Sequence, residues 1–188
     1  DHEPKKEQLK RQRSASEELP FKPTISIITP VFNPAPEVLS ETIKSVLAQT
    51  YPYWEFCLAD GASTEEGVAA TLDEFSQSDP RILVEHLPDN LGISGNSNAA
   101  LRLASGDYIA LMDHDDLIAP DMLYEVVRVI NQNPGVEIIY FDEDKISADG
   151  RTRLDPIFKP SAWSPDLLLS TNYLMHSVIS HSLVDEYG

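Results

Sequence analysis

The chain has 188 residues, enough for one domain and a tail, and a formal net charge of −17 from 31 acidic and 14 basic residues. A domain this acidic is a poor nucleic-acid binder, because phosphate backbones are held by lysine and arginine. The single cysteine excludes an intrachain disulfide framework, and no apolar run reaches the roughly 18 residues of a membrane span. We therefore expect a protein of the cytoplasm, working there or at the inner face of the plasma membrane.

Residues 1–23 differ in charge from the rest of the chain. They hold six basic and five acidic residues, which leaves eight basic against 26 acidic residues for the remainder. Their sequence permits a helix from about residue 3 to 18, and Pro20 and Pro23 then end it. The segment predicts a lead-in helix or a disordered linker, followed by one domain over residues 24–188.

Strand and helix patterns alternate after residue 24. The expected elements are a strand at 25–31, a helix at 37–49, a strand at 54–59, a helix to about 76, a strand at 81–85, a turn at 90–95, a helix at 96–104, a strand at 107–112, a helix with Pro120 in its first turn running to about 131, and a strand at 136–141. This order predicts an α/β fold with a mostly parallel sheet and helices on both faces.

The most informative segment is the acidic run that follows the fourth predicted strand. Asp113, Asp115 and Asp116 stand at the carboxyl end of that strand, with His114 among them. Open α/β sheets bind ligands at this edge, and carboxylate oxygens suit Mg²⁺ or Mn²⁺. So acidic a domain needs a cation to hold a diphosphate, and the sequence therefore predicts a metal-bridged phosphate ligand.

The ends of strands one, two and four should converge on that edge. Residues 29–33, Asp60 and residues 113–116 are thereby expected around one ligand. Asp60 precedes Gly61, whose missing side chain lets a flat ring or a ribose approach closely. We expect the Asp60 carboxylate to accept a hydrogen bond from a ring N–H or a sugar hydroxyl.

Structural roles compete for several of these residues. Asp116 is interpreted mainly as support for the helix that starts near Pro120. His114 is interpreted as a packing or hydrogen-bonding residue, and His176 as a satisfied core histidine. Residues 92–95 are a turn rather than a phosphate cradle, because a pair of glycines is a weak signal.

Four ordered segments resemble family 2 glycosyltransferases with the GT-A fold, a Rossmann-like α/β architecture: residues 24–33, 45–51, 60–61 and 106–116. Residues 140–145, 158–160, 163–166 and 172–173 are similar to bacterial members that build surface polysaccharides, including rhamnosyltransferase-like ones. The resemblance implies a UDP- or dTDP-linked sugar donor, Mg²⁺ or Mn²⁺, a saccharide or lipid-linked saccharide acceptor, and inversion at the anomeric carbon.

The resemblance also assigns site residues. Those implied to bind the nucleotide-sugar are Thr29, Pro30, Val31, Phe32, Asp60, Asn98 and Asp113. Asp60 would read the base, and Asp113 and Asp115 would hold the metal ion. The chain departs from the family pattern at Ala59 and Ser97, where an Asp and an Arg are common, and this leaves the nucleotide open.

The general base of an inverting transferase is a further expectation from the resemblance. The family places it in a motif well after the fifth strand, which would lie beyond Gly188, and Asp142 and Asp144 are secondary candidates. The alternative to an enzyme is a nucleotide-sugar-binding or scaffold domain without turnover. A phosphatase with a nucleophilic Asp is disfavoured, because its acidic motif would follow the first strand.

Overall fold

The computed structural model describes residues 4–147 and 152–187. In chain order, its elements are α1 (Lys6–Ser16), β1 (Ile25–Val31), α2 (Pro36–Leu47), β2 (Trp54–Asp60), α3 (Val68–Ser78), β3 (Ile82–His86), α4 (Gly92–Leu103), β4 (Tyr108–Leu111), α5 (Met122–Gln132), β5 (Ile138–Tyr140), β6 (Glu143–Ile146), β7 (Arg153–Ile157), α6 (Pro165–Leu168), β8 (Ser177–Ser180) and α7 (His181–Tyr187). The first five strands of the chain match the five predicted from the sequence to within two residues at each end.

The main sheet has the strand order β3-β2-β1-β4-β8-β5. Strands β3, β2, β1 and β4 are mutually parallel, and β8 runs antiparallel to both of its neighbours. The chain moves outward from β1 to β2 and β3, then returns to the other side of β1 as β4. The strand order therefore reverses between β1 and β4, and the carboxyl ends of these two strands form the crevice where such sheets bind ligands.

Alternate residues of the central strands face two separate apolar layers. Ile27 and Phe56 belong to a core shared with residues of α2, α3 and α5. Ile28 and Cys57 belong to a second core, with residues of α4 and Val184 of α7. Each fully buried side chain of this size stabilises the fold by roughly 1.5–3 kcal/mol. The prediction that helices cover both faces of the sheet is confirmed.

The lead-in segment is helical over Lys6–Ser16, within the helix predicted from about residue 3 to 18, and residues 1–3 lie outside the described part. Ser16 is fully buried, and its hydroxyl lies 3.4 Å from the Thr50 carbonyl oxygen. Gln12 donates to Glu125 of α5 at 3.3 Å. These contacts seat α1 against the ends of α2 and α5. No helix within residues 4–147 and 152–187 is long and apolar enough to cross a membrane.

Two predicted helix starts were wrong. Helix α4 begins at Gly92, inside the segment predicted to be a turn, because the Asn90 and Asn96 side chains bind the backbone N–H groups of its start. Helix α5 begins at Met122, so Pro120 precedes it and does not occupy its first turn. The glycine and the proline thus do mark helix boundaries, but each helix starts up to about one turn away from the predicted residue.

Strand β8 is a finding that the sequence did not predict. It lies between β4 and β5, so these two strands do not pair directly. Val178 of β8 is fully buried and joins the first core. The segment leading into β8 consequently approaches the carboxyl end of β4, next to the acidic run.

Glu55 on β2 ties three segments together at the opposite end of the sheet. Its Oε1 accepts hydrogen bonds from the Ser26 hydroxyl at 2.6 Å and from the Gly106 N–H at 3.1 Å, as well as from the Ser105 N–H. Partial burial raises the pKa of Glu55, but these hydrogen bonds outweigh it and the pKa lies below its usual value.

Glu55→Gln should lower the free energy of unfolding by about 1–3 kcal/mol at pH 7. Because the folded pKa is depressed, this stabilisation is present above the ordinary Glu pKa and is lost as the pH falls towards the folded value. The difference between wild type and variant should therefore shrink in urea unfolding at pH 4. The exposed Glu66 provides the matched control, since Glu66→Gln should change stability by less than about 0.5 kcal/mol. A difference independent of pH would contradict the assignment.

Candidate functional site at the carboxyl ends of β1 and β4

The acidic run forms a tight turn just after β4. The Asp116 N–H donates to the Asp113 carbonyl oxygen at 3.3 Å, which closes a turn over residues 113–116. His114 lies 3.1 Å from the Pro30 carbonyl oxygen through Nδ1, and its own carbonyl accepts a hydrogen bond from Thr42. His114 is thus the hydrogen-bonding residue that was predicted. The turn brings its first and last carboxylates together.

Asp113, Asp116 and His176 form a group of potential metal ligands. One donor atom from each lies within 4.8 Å of the others. Asp115 is not part of this group, because it occupies the third position of the turn whereas Asp113 and Asp116 occupy its ends. The prediction that Asp115 holds the ion rests on the spacing of the aspartates in the sequence and on the family resemblance, and the packing offers Asp116 as a second partner for Asp113.

His176 joins the group because a second acidic residue orients its ring. Its Nδ1 lies 2.6 Å from Glu143 Oε2, and its Nε2 lies 3.2 Å from Asp116 Oδ2. Lys159 is paired with the other Glu143 oxygen at 2.9 Å. Asp116 above all, and then Glu143, raise the pKa of His176 to about 9 against the effect of burial. A chain of groups with alternating charge therefore runs from Lys159 through Glu143 and His176 to Asp116 of the acidic turn.

These contacts correct two sequence interpretations. Asp116 does not cap α5, whose N-cap residue is Asp121, but pairs with His176. His176 is not a core histidine, because its side chain is 26% exposed and its ring lies between the carboxylates of Glu143 and Asp116. Both errors have one cause, since the loop before β8 had no predicted position.

The group suits a divalent cation. Desolvation, followed by the nearby Asp116 charge, raises the pKa of Asp113, whereas His176 lowers the pKa of Asp116. Two carboxylates fit Mg²⁺ or Mn²⁺, and an imidazole adds a ligand that Mn²⁺ tolerates better than Mg²⁺. His176 would have to lose its proton before it could ligate.

A cavity of about 180 Å³ adjoins the acidic turn. Pro30 of the β1 end, and Ile93 and Ser97 of α4, are among the residues that line it. Asp113 and His176 contribute its charged groups, and most of the remaining lining is apolar. The cavity thus places apolar surface next to charged side chains, which is the kind of lining that ligand pockets have.

The residues predicted at the end of β1 have different roles. Thr29 and Val31 are fully buried, and the Thr29 hydroxyl donates to the Met112 carbonyl at 2.8 Å. Pro30 lines the cavity, while Phe32 is an exposed large apolar residue. The chain at β1 therefore offers backbone and ring surface, and the Thr29 side chain serves to align β4.

Asp60 and its neighbours form a second polar group at the end of β2. Asp60 is buried, accepts the Ser63 N–H at 3.0 Å, and lies 2.9 Å from His86 Nδ1. A Cβ on Gly61 would overlap the Asn96 amide, which explains the glycine after Asp60. Asp60 is thus held in place by neighbours on two sides.

On α4 the predicted Asn98 is exposed, whereas Asn96 is buried. Sequence reasoning missed Asn96. Its side chain accepts from the Leu91 N–H and donates to Asn90. Helical spacing supplied a signal, because Asn96 lies three and four residues before the buried Ala99 and Ala100.

The three acidic residues after β5 contact different partners. The Asp142 carboxylate accepts from the Lys159 N–H at 2.7 Å, and Asp144 is paired with Arg153 of β7 at 2.7 Å. Glu143, which the prediction passed over, contacts His176 instead. Glu143 and Asp144 are successive residues of β6, and successive side chains of a strand point to opposite faces, which separates these two.

The segment at the end of α2 clamps the loop that follows the acidic turn. Gln49 is buried and donates to the Ala119 carbonyl at 2.7 Å, while its Oε1 accepts the Leu123 N–H at 3.0 Å. Ser45 accepts from the Ile118 N–H. The acidic turn is thereby fixed relative to α2 and α5.

An acidic turn beside a cavity at the switch point of a largely parallel sheet is the arrangement of an α/β ligand-binding domain. The sequence model described as Glycosyl transferase family 2 matches residues 26–182, and the chain belongs to this family. The resemblance recognised from the sequence motifs is thereby confirmed.

Two longer relatives cover most of the chain. The uncharacterized protein y4gI of Sinorhizobium fredii is 48% identical over 167 residues, which are 88% of this chain and 18% of the relative. The O-antigen biosynthesis protein RfbC of Myxococcus xanthus is 34% identical over 158 residues, which are 84% and 12%. The chain thus spans less than a fifth of the length of either relative.

Solved structures confirm the GT-A fold. S. aureus TarS 1-349 in complex with UDP has a TM-score of 0.69 at 21% identity, with 87% of this chain and 48% of that chain covered. The mannosyltransferase PcManGT from Pyrobaculum calidifontis, in complex with GDP-Man and Mn²⁺, has a TM-score of 0.65 at 17% identity, with 96% and 54% covered. The chain spans about half of each.

Proposed function

We propose that this chain is the donor-binding part of a metal-dependent glycosyltransferase. The enzyme moves a sugar, with inversion, from a UDP- or dTDP-linked donor to a saccharide or lipid-linked saccharide acceptor. The reaction belongs to bacterial surface polysaccharide biosynthesis, in the cytoplasm at the inner face of the plasma membrane. The family supports the reaction class, and the name of RfbC, an O-antigen biosynthesis protein, supports the pathway class.

The observation that carries the proposal is the acidic turn beside the cavity. A group of carboxylates repels a diphosphate, whereas a divalent ion between them converts the same group into a binding site. PcManGT, a structural neighbour, is in complex with both GDP-Man and Mn²⁺.

The residues of the chain then take separate roles. Asp113 holds the ion together with a second carboxylate, from Asp115 on the family pattern or from Asp116 on the observed turn. The ion, when bound, stabilises the negative charge that develops on the departing diphosphate. Pro30 and the backbone around it contact the nucleoside. Asn98, which is exposed on α4, is proposed to contact the nucleotide-sugar as well.

Asp60 is assigned to the nucleobase. It lies opposite Val31 in the strand register, one residue beyond Pro30 of the cavity wall. A carboxylate accepts a hydrogen bond from a ring N–H, so uracil or thymine suits it. We do not assign the general base to Asp142 or Asp144, because they are engaged with the Lys159 N–H and with Arg153.

The test is turnover by the full-length protein with Mn²⁺ and a panel of UDP-, dTDP- and GDP-linked sugars. We expect release of one nucleoside diphosphate that stops when EDTA is added and resumes with excess Mn²⁺. Saturable binding of a nucleotide-sugar without any release, with cell-envelope saccharides supplied as acceptors, would instead identify a scaffold domain.

A further inference from the structure

A histidine that is not among the residues lining the cavity contacts the side chain of Asp60. His86 is the last residue of β3, and its register partner on β2 is Asp60. The two side chains are 2.9 Å apart between His86 Nδ1 and Asp60 Oδ2. Since β2 and β3 are parallel neighbours, this contact is built into the sheet and does not depend on a loop.

The ring of His86 also reaches a second carboxylate. Its Nε2 lies 3.2 Å from Asp73 Oδ1 of α3. The Asp60 side chain is 5% exposed and that of Asp73 is 57% exposed, so the three residues run from the interior to the solvent. Glu85, the neighbouring acidic residue on β3, is paired with Arg102 at 4.0 Å.

Both ring nitrogens of His86 face carboxylate oxygens, so the protonated ring can donate on both sides. Partial burial lowers the pKa of His86, but the hydrogen bonds and charges of Asp60 and Asp73 outweigh it and raise the pKa above its usual value. A buried carboxylate is costly to hold without such a partner. His86 therefore holds the Asp60 carboxylate in one orientation.

The Asp60 carboxylate has capacity left over. One oxygen accepts the Ser63 N–H and the other faces His86, while each carboxylate oxygen can accept two hydrogen bonds. Rotation of the carboxylate would break both contacts at once. The remaining lone pairs consequently point in fixed directions at the end of β2, beside the β1 residues that adjoin the cavity.

We propose that His86 is a positioning residue for nucleobase selection, which orients Asp60 to accept the ring N–H of uracil, thymine or guanine and to reject bases whose ring nitrogen is an acceptor. This inference rests on the proposed function. Cytosine and adenine present a lone pair where the favoured bases present N–H, so each would leave Asp60 without a donor. This discrimination between bases requires that the Asp60 carboxylate keep a single orientation.

Two amide variants separate the contacts of His86. In His86→Asn, the amide nitrogen takes the place of Nδ1 and keeps the contact with Asp60. In His86→Gln, it takes the place of Nε2, keeps the contact with Asp73 and withdraws from Asp60. The two substitutions differ by one methylene and introduce the same polar group, so general effects on folding are matched.

The experiment measures dissociation constants by calorimetry on the full-length protein with Mn²⁺, for UDP against CDP and for GDP against ADP. The wild type should prefer the N–H member of the pair that it binds by about 100-fold, as expected of a hydrogen bond to a charged group. His86→Gln should lower that ratio by about tenfold or more, and His86→Asn should keep it within about threefold.

The outcomes separate this inference from the proposed function. If His86→Gln binds with the wild-type ratio, His86 does not position Asp60 for selection, although the donor site stands. Equal loss of selectivity in both variants would also contradict the inference, because His86→Asn retains the Asp60 contact. If the wild type binds none of the four nucleotides, the proposed function fails and the inference with it.

Discussion

Asp113→Asn is expected to weaken Mn²⁺-dependent binding of the nucleoside diphosphate by at least about 100-fold, because the ion loses a carboxylate that both the sequence and the geometry assign to it. The measurement is a titration of the nucleotide with and without Mn²⁺. Since the pKa of Asp113 is raised, its charge disfavours the folded state at neutral pH, and the melting temperature without ligand should stay unchanged or rise. Loss of binding together with a lower melting temperature would instead indicate unfolding.

Asp115→Asn and Asp116→Asn then decide which second carboxylate is used. The family pattern expects the larger loss at Asp115, and the turn geometry expects it at Asp116, which lies beside Asp113 and His176. Glu74→Gln, an exposed carboxylate on α3, is the matched control and should leave binding unchanged. Full binding by both the Asp115 and Asp116 variants would contradict a two-carboxylate site.

Gln49→Leu is expected to lower the free energy of unfolding by about 2–5 kcal/mol. Leucine leaves the Ala119 carbonyl and the Leu123 N–H without the partners that Gln49 supplies, and each buried unsatisfied group costs about 1–3 kcal/mol. Leu123 N–H belongs to the first turn of α5, where no side chain of the N-cap residue binds the backbone. Chemical denaturation measures the change.

Gln77→Leu on the exposed face of α3 is the control for the same chemical change, and it should alter stability by less than about 0.5 kcal/mol. The Gln49 variant should also bind the nucleotide more weakly, since the clamped loop follows the acidic turn. Wild-type stability in Gln49→Leu would show that the clamp contributes nothing.

The predictable part of the fold is the part set by local pattern. The β-branched run of β1 was predicted with its observed bounds, because a buried parallel strand reads as a continuous apolar segment that ends in turn residues. Strand β8 escaped prediction because it is set by its pairing with β4 and β5, which come from distant parts of the sequence. Its place in the sheet depends on packing, which no local pattern encodes.

The same division holds for the site. Asp113 was placed correctly at the sheet edge, since a strand end predicts it. His176 and Glu143 were not assigned to the site, because they reach it only through the insertion of β8 and the position of β6. Asn96 could have been predicted from its helical spacing to Ala99 and Ala100. The roles of Asp60, Asn98 and Asp115 stay predictions until a ligand is bound.

The most direct test of the donor site is a crystal structure of the chain grown with UDP and Mn²⁺, with anomalous differences measured at the manganese edge. The account predicts one anomalous peak within ligand distance of Asp113 and of a second carboxylate of the turn. The diphosphate should contact the manganese ion at this peak, and the base should lie towards Asp60. A nucleotide bound at the cavity without a manganese peak, or a peak away from residues 113–116, would contradict it.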